Sequence, residues 1–453
     1  NLFEEILHEH VRRTPLIDLR LNCRATGVEQ SPAGVALSVE ATGADGAARE
    51  VLTAPYLVAC DGANSAMRDW LDIGMEGPEK LATVVMIHFE ADLSRYMADR
   101  PGVLFWNLDP DNPGNFIVHD MRRTHVYMHP YDDAREGPGA FTVERAKEIV
   151  RRAIGEEGAD IEIVSVRPWV MRSQVAAAYR KGRIFLAGDA AHRFPPTGGL
   201  GMNTGIAEAC NLAWKLAAVM NGWGGEALLD SYETECRPVA VANAAHSLNN
   251  SAKMFEVLAA AGLTGNRETD VAALARFGAH QISDPEREGI ADAVRAQREH
   301  FLTVGLDLGG RYASPVIADD AATQRESTAL DFVPTTRPGS RLPHIWLDAE
   351  GKCSTHDLVS AGAFTLLAAT LEPGGAEALR CAASVASIPL EIVELGEGFA
   401  RIPDTAGFEA LLLRPDHHIA WRGRQHDLEH GAKSILHQSA GLSGGERKLE
   451  STT

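Results

Sequence analysis

Residues 182 to 216 read GRIFLAGDAAHRFPPTGGLGMNTGIAEACNLAWKL, and this stretch constrains the fold more than any other. Arg183-Ile-Phe-Leu-Ala187 is a short apolar run rich in strand formers, and it ends at Gly188-Asp189. A carboxylate just past the end of a strand stands where open α/β sheets bind their ligands. The following Pro195, Pro196 and Thr197 stiffen the chain, and Gly198, Gly199 and Gly201 then open it. Glycine here lets bare backbone N–H groups approach a flat or anionic ligand. From about Gly201 the pattern turns helical, with Ile206, Ala209, Cys210, Ala213, Leu216, Ala217 and Met220 at three- and four-residue spacings. The glycines therefore deliver the chain into a helix N-terminus, whose free N–H groups favour negative charge.

Gly188-Asp189-Ala190-Ala191-His192, with Pro195-Pro196 and Gly198-Gly199-Leu200-Gly201-Met202-Asn203, resembles the second flavin signature of the single-component FAD-dependent aromatic hydroxylases. Asp61-Gly62-Ala63-Asn64-Ser65 followed by Arg68 resembles the other internal signature of that family, DGxxSxxR. Two independent motifs in the right order make the resemblance specific, where a lone GD dipeptide would not.

A dinucleotide site normally opens with a strand, G-x-G-x-x-G and a helix. No such opening is seen here, and Gly222-Trp-Gly224-Gly, a formal match, follows a helix instead of a strand. Family resemblance begins at once, with a helix over Phe3–Arg13 and a strand expected at Leu19–Cys23. The resemblance thus places the ADP-binding loop and part of the substrate pocket upstream of Asn1; the general base that the reaction needs is not identified among these residues, and upstream of Asn1 is one place for it.

At 453 residues the chain has room for two or three domains with substantial cores. Its net charge of −19 argues against nucleic-acid or anionic-membrane partners. No apolar run is long enough for a membrane span. The six cysteines (Cys23, Cys60, Cys210, Cys236, Cys353, Cys381) are scattered without a C-x-x-C, which suits reduced thiols in a cytoplasm and no metal or disulfide framework.

Along the chain, residues 26–60 read as a meander with a turn at Gly43–Gly46, closing in the buried strand Tyr56–Cys60. Strand-like runs at Thr83–Phe89, Val103–Leu108, Phe116–His119, Val126–His129 and Ile161–Val170, with a helix over 142–154, read as an antiparallel substrate-domain sheet. Helices are expected over Ala227–Arg237 and Val239–Leu258, with Pro238 as a boundary or kink. Asp284–Phe301 reads as a charged helix, and 313–334 as extended loop. Residues 337–423 alternate strands and helices, and Gly431–Thr453 is rich in Ser, Gly and charge.

The resemblance then implies an α/β fold. A Rossmann-like FAD-binding domain, incomplete at its N-terminus, takes 1–78 and 171–262, and a substrate sheet domain takes 79–170. A helical connection covers 263–336, a thioredoxin-like C-terminal domain 337–425 and a flexible tail 426–453. FAD falls to Asp61, Gly62, Arg68, Asp189, Pro196, Gly198, Gly199, Leu200, Gly201, Met202 and Asn203, with Arg68 an anion contact. Trp106, Arg123, Pro195 and Met202 are expected at the substrate pocket, and His192 is structural. The implied reaction uses NADH or NADPH as transient co-substrate and O2. It hydroxylates a phenol ortho to its hydroxyl through a flavin C4a-hydroperoxide. The Arg337-Pro-Gly-x-Arg341-Leu-Pro-His344 segment is most like the bacterial phenol-degrading branch, with substrates such as 2-hydroxybiphenyl or a chlorophenol. The alternatives left open are hydroxylation of a polycyclic aromatic polyketide and a non-hydroxylating flavin oxidoreductase. A homodimer or homotetramer is expected.

Overall fold

The computed structural model describes residues 2–42, 48–320 and 326–442. The chain divides into two compact units: residues 1–74 with 176–191, and residues 75–175 with 192–453. The expected turn at Gly43–Gly46 and the last part of the expected tail, from residue 443 onward, lie outside the described residues.

In the first unit the strands Cys23–Ser31, Gly34–Ala41 and Arg49–Ala54 form the antiparallel meander. Alternation along Gly34–Ala41 buries Val35 and Val39 on one side. The strand expected at Leu19–Cys23 begins only at Cys23, because Asn22 takes the left-handed conformation (φ 56°) and interrupts the extended chain. Ile184–Leu186, buried throughout, pairs in parallel with Leu57–Ala59, Phe185 opposite Val58. Both strands run the same way, so Asp61 and Asp189 leave the sheet at one and the same edge.

In the second unit, five antiparallel strands stand in the order Glu162–Met171, Ala82–Glu90, Thr124–Pro130, Gly114–Val118, Leu104–Asn107. Burial alternates along Ala82–Glu90: Val85, Ile87 and Phe89 are fully buried, and Met86 and His88 on the other face are half-buried. The buried face is covered by the helix Val143–Ile154 through Ala146, Ile149 and Val150. Thr142 caps that helix by accepting from the Arg145 N–H, and Gly155 ends it in the left-handed conformation (φ 84°).

The C-terminal sheet runs Leu390–Glu394, Phe364–Ala368, Ala410–Leu413, Ile419–Gly423, its first pair parallel and the others antiparallel. It forms the thioredoxin-like domain. Phe364, Leu366 and Leu412 pack on the helices Pro373–Val385 and Gln425–Ser439, while Leu367, Leu411 and Leu413 pack on Leu342, Phe399 and Ile402. The expectation of a flexible segment from 426 is therefore corrected over its first half. Leu428, Ala432 and Leu436 of the Gln425–Ser439 helix point into the core at helical spacing, and their burial holds it in place.

Two long helices join these parts. Leu200–Met220 and Glu226–Ala260 lie in the second unit, with Trp214 and Trp223 packed edge-on against Phe364 of the C-terminal sheet. Pro238 does not divide the second helix, which continues through it with Leu228 and Tyr232 buried before and Ala240 and Ala244 after. The apolar stripe on the first helix is turned outward. Ile206, Ala209, Cys210, Ala213, Ala217 and Met220 are exposed, and Thr204, Glu208, Asn211 and Lys215 are buried. The physical reason is polar pairing with the second helix: Thr204 with Asn243 (2.9 Å), and Asn211 and Lys215 with Glu235 (2.8 and 2.7 Å). Asp284–Phe301 is helical from Asp284 to Arg295 and then tightens into a 3-10 turn. Among the described residues no helix is long and apolar enough to cross a membrane, and all six cysteines are free thiols.

Candidate functional site

In the first unit the DGxxSxxR segment and the GD turn are tied to each other by hydrogen bonds. Asp61 Oδ2 accepts from the Met67 N–H (3.0 Å) and Ser65 Oγ from the Arg68 N–H (3.0 Å), which starts the short helix Ala66–Trp70. Arg68, expected as an anion contact, is buried. Its guanidinium donates to the Ala190 carbonyl (2.9 Å) and the Ala63 carbonyl (3.3 Å). It clamps the GD turn to the DGxxSxxR segment within the first unit. Gly62 and Gly188 follow the two strands, and the carboxylates of Asp61 and Asp189 remain exposed at the sheet edge.

In the second unit the loop 192–199 is anchored at both ends. His192 is fully buried, stacks on Phe194 (4.4 Å between ring centres) and lies 3.3 Å from Glu208 of the following helix. That is the structural role expected of it. Thr197 Oγ1 contacts the Ser247 carbonyl (2.6 Å) and Ser251 Oγ (2.9 Å), holding the loop on the Glu226–Ala260 helix. Pro195 is buried and Pro196 exposed. Gly198 and Gly199 take left-handed backbone (φ 108° and 66°), which other residues adopt only at a cost of roughly 1–2 kcal/mol.

Gly199 is the N-cap residue of Leu200–Met220 and supplies no capping side chain. The first N–H groups of this 21-residue helix therefore meet no capping oxygen from their own N-cap, beside an exposed Met202 and Asn203 and a half-buried Gly201. Leu200 is buried and fixes the helix start. Such a start fits a ligand that presents an electron-rich edge, as the flavin ring does.

The substrate-domain sheet separates two residues expected together. Trp106 pairs with Asn115, which pairs with Met128, on the face away from the Val143–Ile154 helix. Arg123 precedes Met128 by five residues, about 17 Å of strand. It is exposed and ion-paired to Glu90 (3.3 Å) at the far end of the sheet. There it lines a charged cavity of about 580 Å3 with Glu90, Asp92, Arg95 and Arg122. Trp106 does not share that cavity. Its own face carries Met128 and Met86 in register with it, Val126 two residues along, and Trp169, opposite Val84, on the other edge strand of the sheet. Trp169 was not picked out in the sequence, although the two-residue alternation of its strand assigns it to this face.

The chain matches a family profile described as FAD binding domain over residues 1–247, and one described as aromatic-ring hydroxylase, C-terminal, over residues 335–442. It belongs to the FAD-dependent aromatic-ring hydroxylases. FAD is the cofactor of the family, and the uncapped helix start fits it. A 2,4-dichlorophenol 6-monooxygenase of Cupriavidus pinatubonensis is 33% identical over 394 residues, 81% of this family member and 65% of that relative. A tetracenomycin A2 monooxygenase-dioxygenase of Streptomyces glaucescens is 33% identical over 464 residues, 96% and 75% of the two chains. This hydroxylase-family chain thus spans less than two thirds of the dichlorophenol relative's length. Among solved structures, the flavin-dependent monooxygenase PieE in complex with FAD and substrate superimposes with a TM-score of 0.87 at 28% identity, covering 98% of this chain and 79% of that one. The ternary complex of aklavinone-11 hydroxylase with FAD and aklavinone gives 0.75 at 29% identity, covering 97% and 77%.

Proposed function

We propose that this protein is a monooxygenase that uses FAD, NADH or NADPH, and O2 to hydroxylate a phenolic ring next to its existing hydroxyl. The residues assigned to FAD are Asp61, Gly62, Arg68, Asp189, Pro196, Gly198, Gly199, Leu200, Gly201, Met202 and Asn203. The observation that carries the reading is the uncapped start of Leu200–Met220, reached through two left-handed glycines. When bound, the flavin supplies the oxygen-transfer chemistry, and the protein's work is to hold it, orient the ring and exclude water. The N–H groups at Leu200–Asn203 stabilise negative charge on the flavin's edge. Pro195 and Met202 are assigned to the substrate side of the loop.

Trp106, with Met128 two strands away on the same face, is assigned as the flat apolar wall for the aromatic ring, since an aromatic face favours offset or edge contacts with another ring. Arg123 is the weaker part of the pocket assignment, because it is ion-paired at the far end of the sheet. A substituted phenol such as 2-hydroxybiphenyl or a chlorophenol is the first substrate class, in line with the dichlorophenol relatives. A polycyclic aromatic polyketide is the second reading, favoured by the likeness to the tetracenomycin and aklavinone enzymes.

The test is an absorbance spectrum of the protein reconstituted with FAD, followed by NADH and NADPH oxidation with each substrate class. A flavin spectrum with phenol-dependent turnover to a catechol supports the first reading. Turnover only with a polycyclic phenol supports the second. Uptake of no FAD at all overturns both.

A further inference from the structure

The C-terminal helix Gln425–Ser439 has two unlike faces. One buries Leu428, Ala432 and Leu436. The other displays His426, Glu429 and His430, all exposed, with one donor atom from each within 4.8 Å of the others. No metal-ligand cluster was expected from the sequence, yet positions i, i+3 and i+4 of a helix share one face, so the spacing itself converges these side chains.

Three observations show that the triad is arranged beyond its spacing. The two imidazoles stand with ring centres 4.3 Å apart. His430 Nδ1 makes a 3.0 Å hydrogen bond to the His426 carbonyl. A carbonyl can only accept, so Nδ1 carries the proton and Nε2 keeps the lone pair a metal needs; this is the tautomer-fixing contact typical of ligating histidines. Glu429 lies against the first turn of the neighbouring helix Pro373–Val385, where a Cβ on Gly374 would fall 2.3 Å from Glu429 Oε1. The missing side chain at Gly374 is what leaves room for the carboxylate.

We propose that His426, Glu429 and His430 form a binding site for a divalent transition ion of the zinc class. Two imidazoles and one carboxylate are the donor set that zinc accepts with three protein ligands and water completing the tetrahedron. The ion bridges two turns of the helix that seals the C-terminal core and braces it beside the Pro373–Val385 helix. The ion has a structural role and takes no part in the oxygen chemistry.

The experiment is calorimetric titration of the chelator-treated full chain with zinc chloride, paired with thermal unfolding at rising zinc concentration. One saturable equivalent is expected, with an unfolding temperature that climbs with zinc, since a ligand bound only to the folded state stabilises it. H426A and H430A each lower the affinity by more than the roughly 10- to 100-fold that loss of an outer-shell partner costs. G374L, which displaces Glu429, also weakens binding, and H10A, on an exposed histidine of the first unit, leaves it unchanged. All these positions, Gly374 included, are exposed, so the variants retain the fold and the comparison stands. Absence of saturable zinc binding, or one equivalent that survives both H426A and H430A, overturns the proposal.

Discussion

Replacing Arg414 by methionine is the most informative perturbation of this molecule. Arg414 is fully buried and donates to both oxygens of Glu235 (2.7 and 2.8 Å) and both of Asp416 (3.1 and 2.5 Å). Glu235 also receives Lys215 and Asn211, at 2.7 and 2.8 Å, and Ser314 at 2.7 Å. Two cations face two carboxylates, so the cluster is neutral overall. R414M leaves it with one uncompensated negative charge out of water, which costs about 3–5 kcal/mol. Against a total stability of about 5–15 kcal/mol this is a large fraction.

The measurement is urea unfolding of R414M, E235Q and the double variant against the parent chain. R414M/E235Q restores charge balance and is expected to cost less than the two single losses added together, by about 0.5–3 kcal/mol. The acid limb gives a second readout. Burial pushes the Glu235 carboxyl up, but the charges of Arg414 and Lys215 outweigh it and hold the group well below the usual range. Asp416 is likewise held low by Arg414 against its burial. Carboxyls with lowered native pKa values give stability that is present above their unfolded values and lost as pH falls through the folded ones. R414M therefore moves the onset of acid unfolding to higher pH. A loss under about 1 kcal/mol, the value for exposed ion pairs, or strict additivity in the double variant, refutes the reasoning.

G199V forces a β-branched residue to φ 66° at the start of the Leu200–Met220 helix; it is expected to weaken FAD uptake by at least tenfold in a fluorescence titration while the C-terminal domain unfolds as before. W106A removes the aromatic wall and should lower substrate-dependent NADH oxidation several-fold, whereas R123A, which breaks only an exposed pair with Glu90, changes stability by less than about 1 kcal/mol and leaves turnover intact. Equal losses in W106A and R123A would contradict the placement of the pocket. Burial lowers the pKa of His125 and His129, so the unfolded chain binds more protons than the folded one once pH drops below about 6.5. Stability measured by urea should fall between pH 7.5 and 5.5, and H125Q should flatten that slope; an unchanged slope would remove His125 from the account.

Much of this architecture was legible in the sequence. Strand-like runs marked all five strands of the substrate-domain sheet, and short apolar runs marked the strands that lead to Asp61 and Asp189. Helical spacing found Val143–Ile154. What escaped depends on partners distant in sequence. Leu200–Met220 shows its apolar stripe outward because its buried face is matched, residue by residue, to polar groups of Glu226–Ala260. Arg68 reads as an anion contact until the Ala190 carbonyl, 122 residues away, takes one of its donors. Arg123 and Trp106 seem equally placed until strand register puts them far apart. Gln425–Ser439 was read by its polar composition, although Leu428, Ala432 and Leu436 already carried the helical period.

The charge cluster also sets an order on the making of the protein. Glu235 and Arg414 are separated by 179 positions in the chain. At a synthesis rate of roughly 5–20 residues per second, Glu235 emerges from the ribosome about 10–35 s before its guanidinium partner exists. During that interval the helix pair holds a carboxylate met by Lys215 and Asn211 but not yet by its guanidinium, with water where the C-terminal domain will dock. The helix that opens at Leu200 therefore reaches its final setting only after translation has passed Asp416, and the last domain of the chain acts as the closing step for a loop made more than two hundred codons earlier.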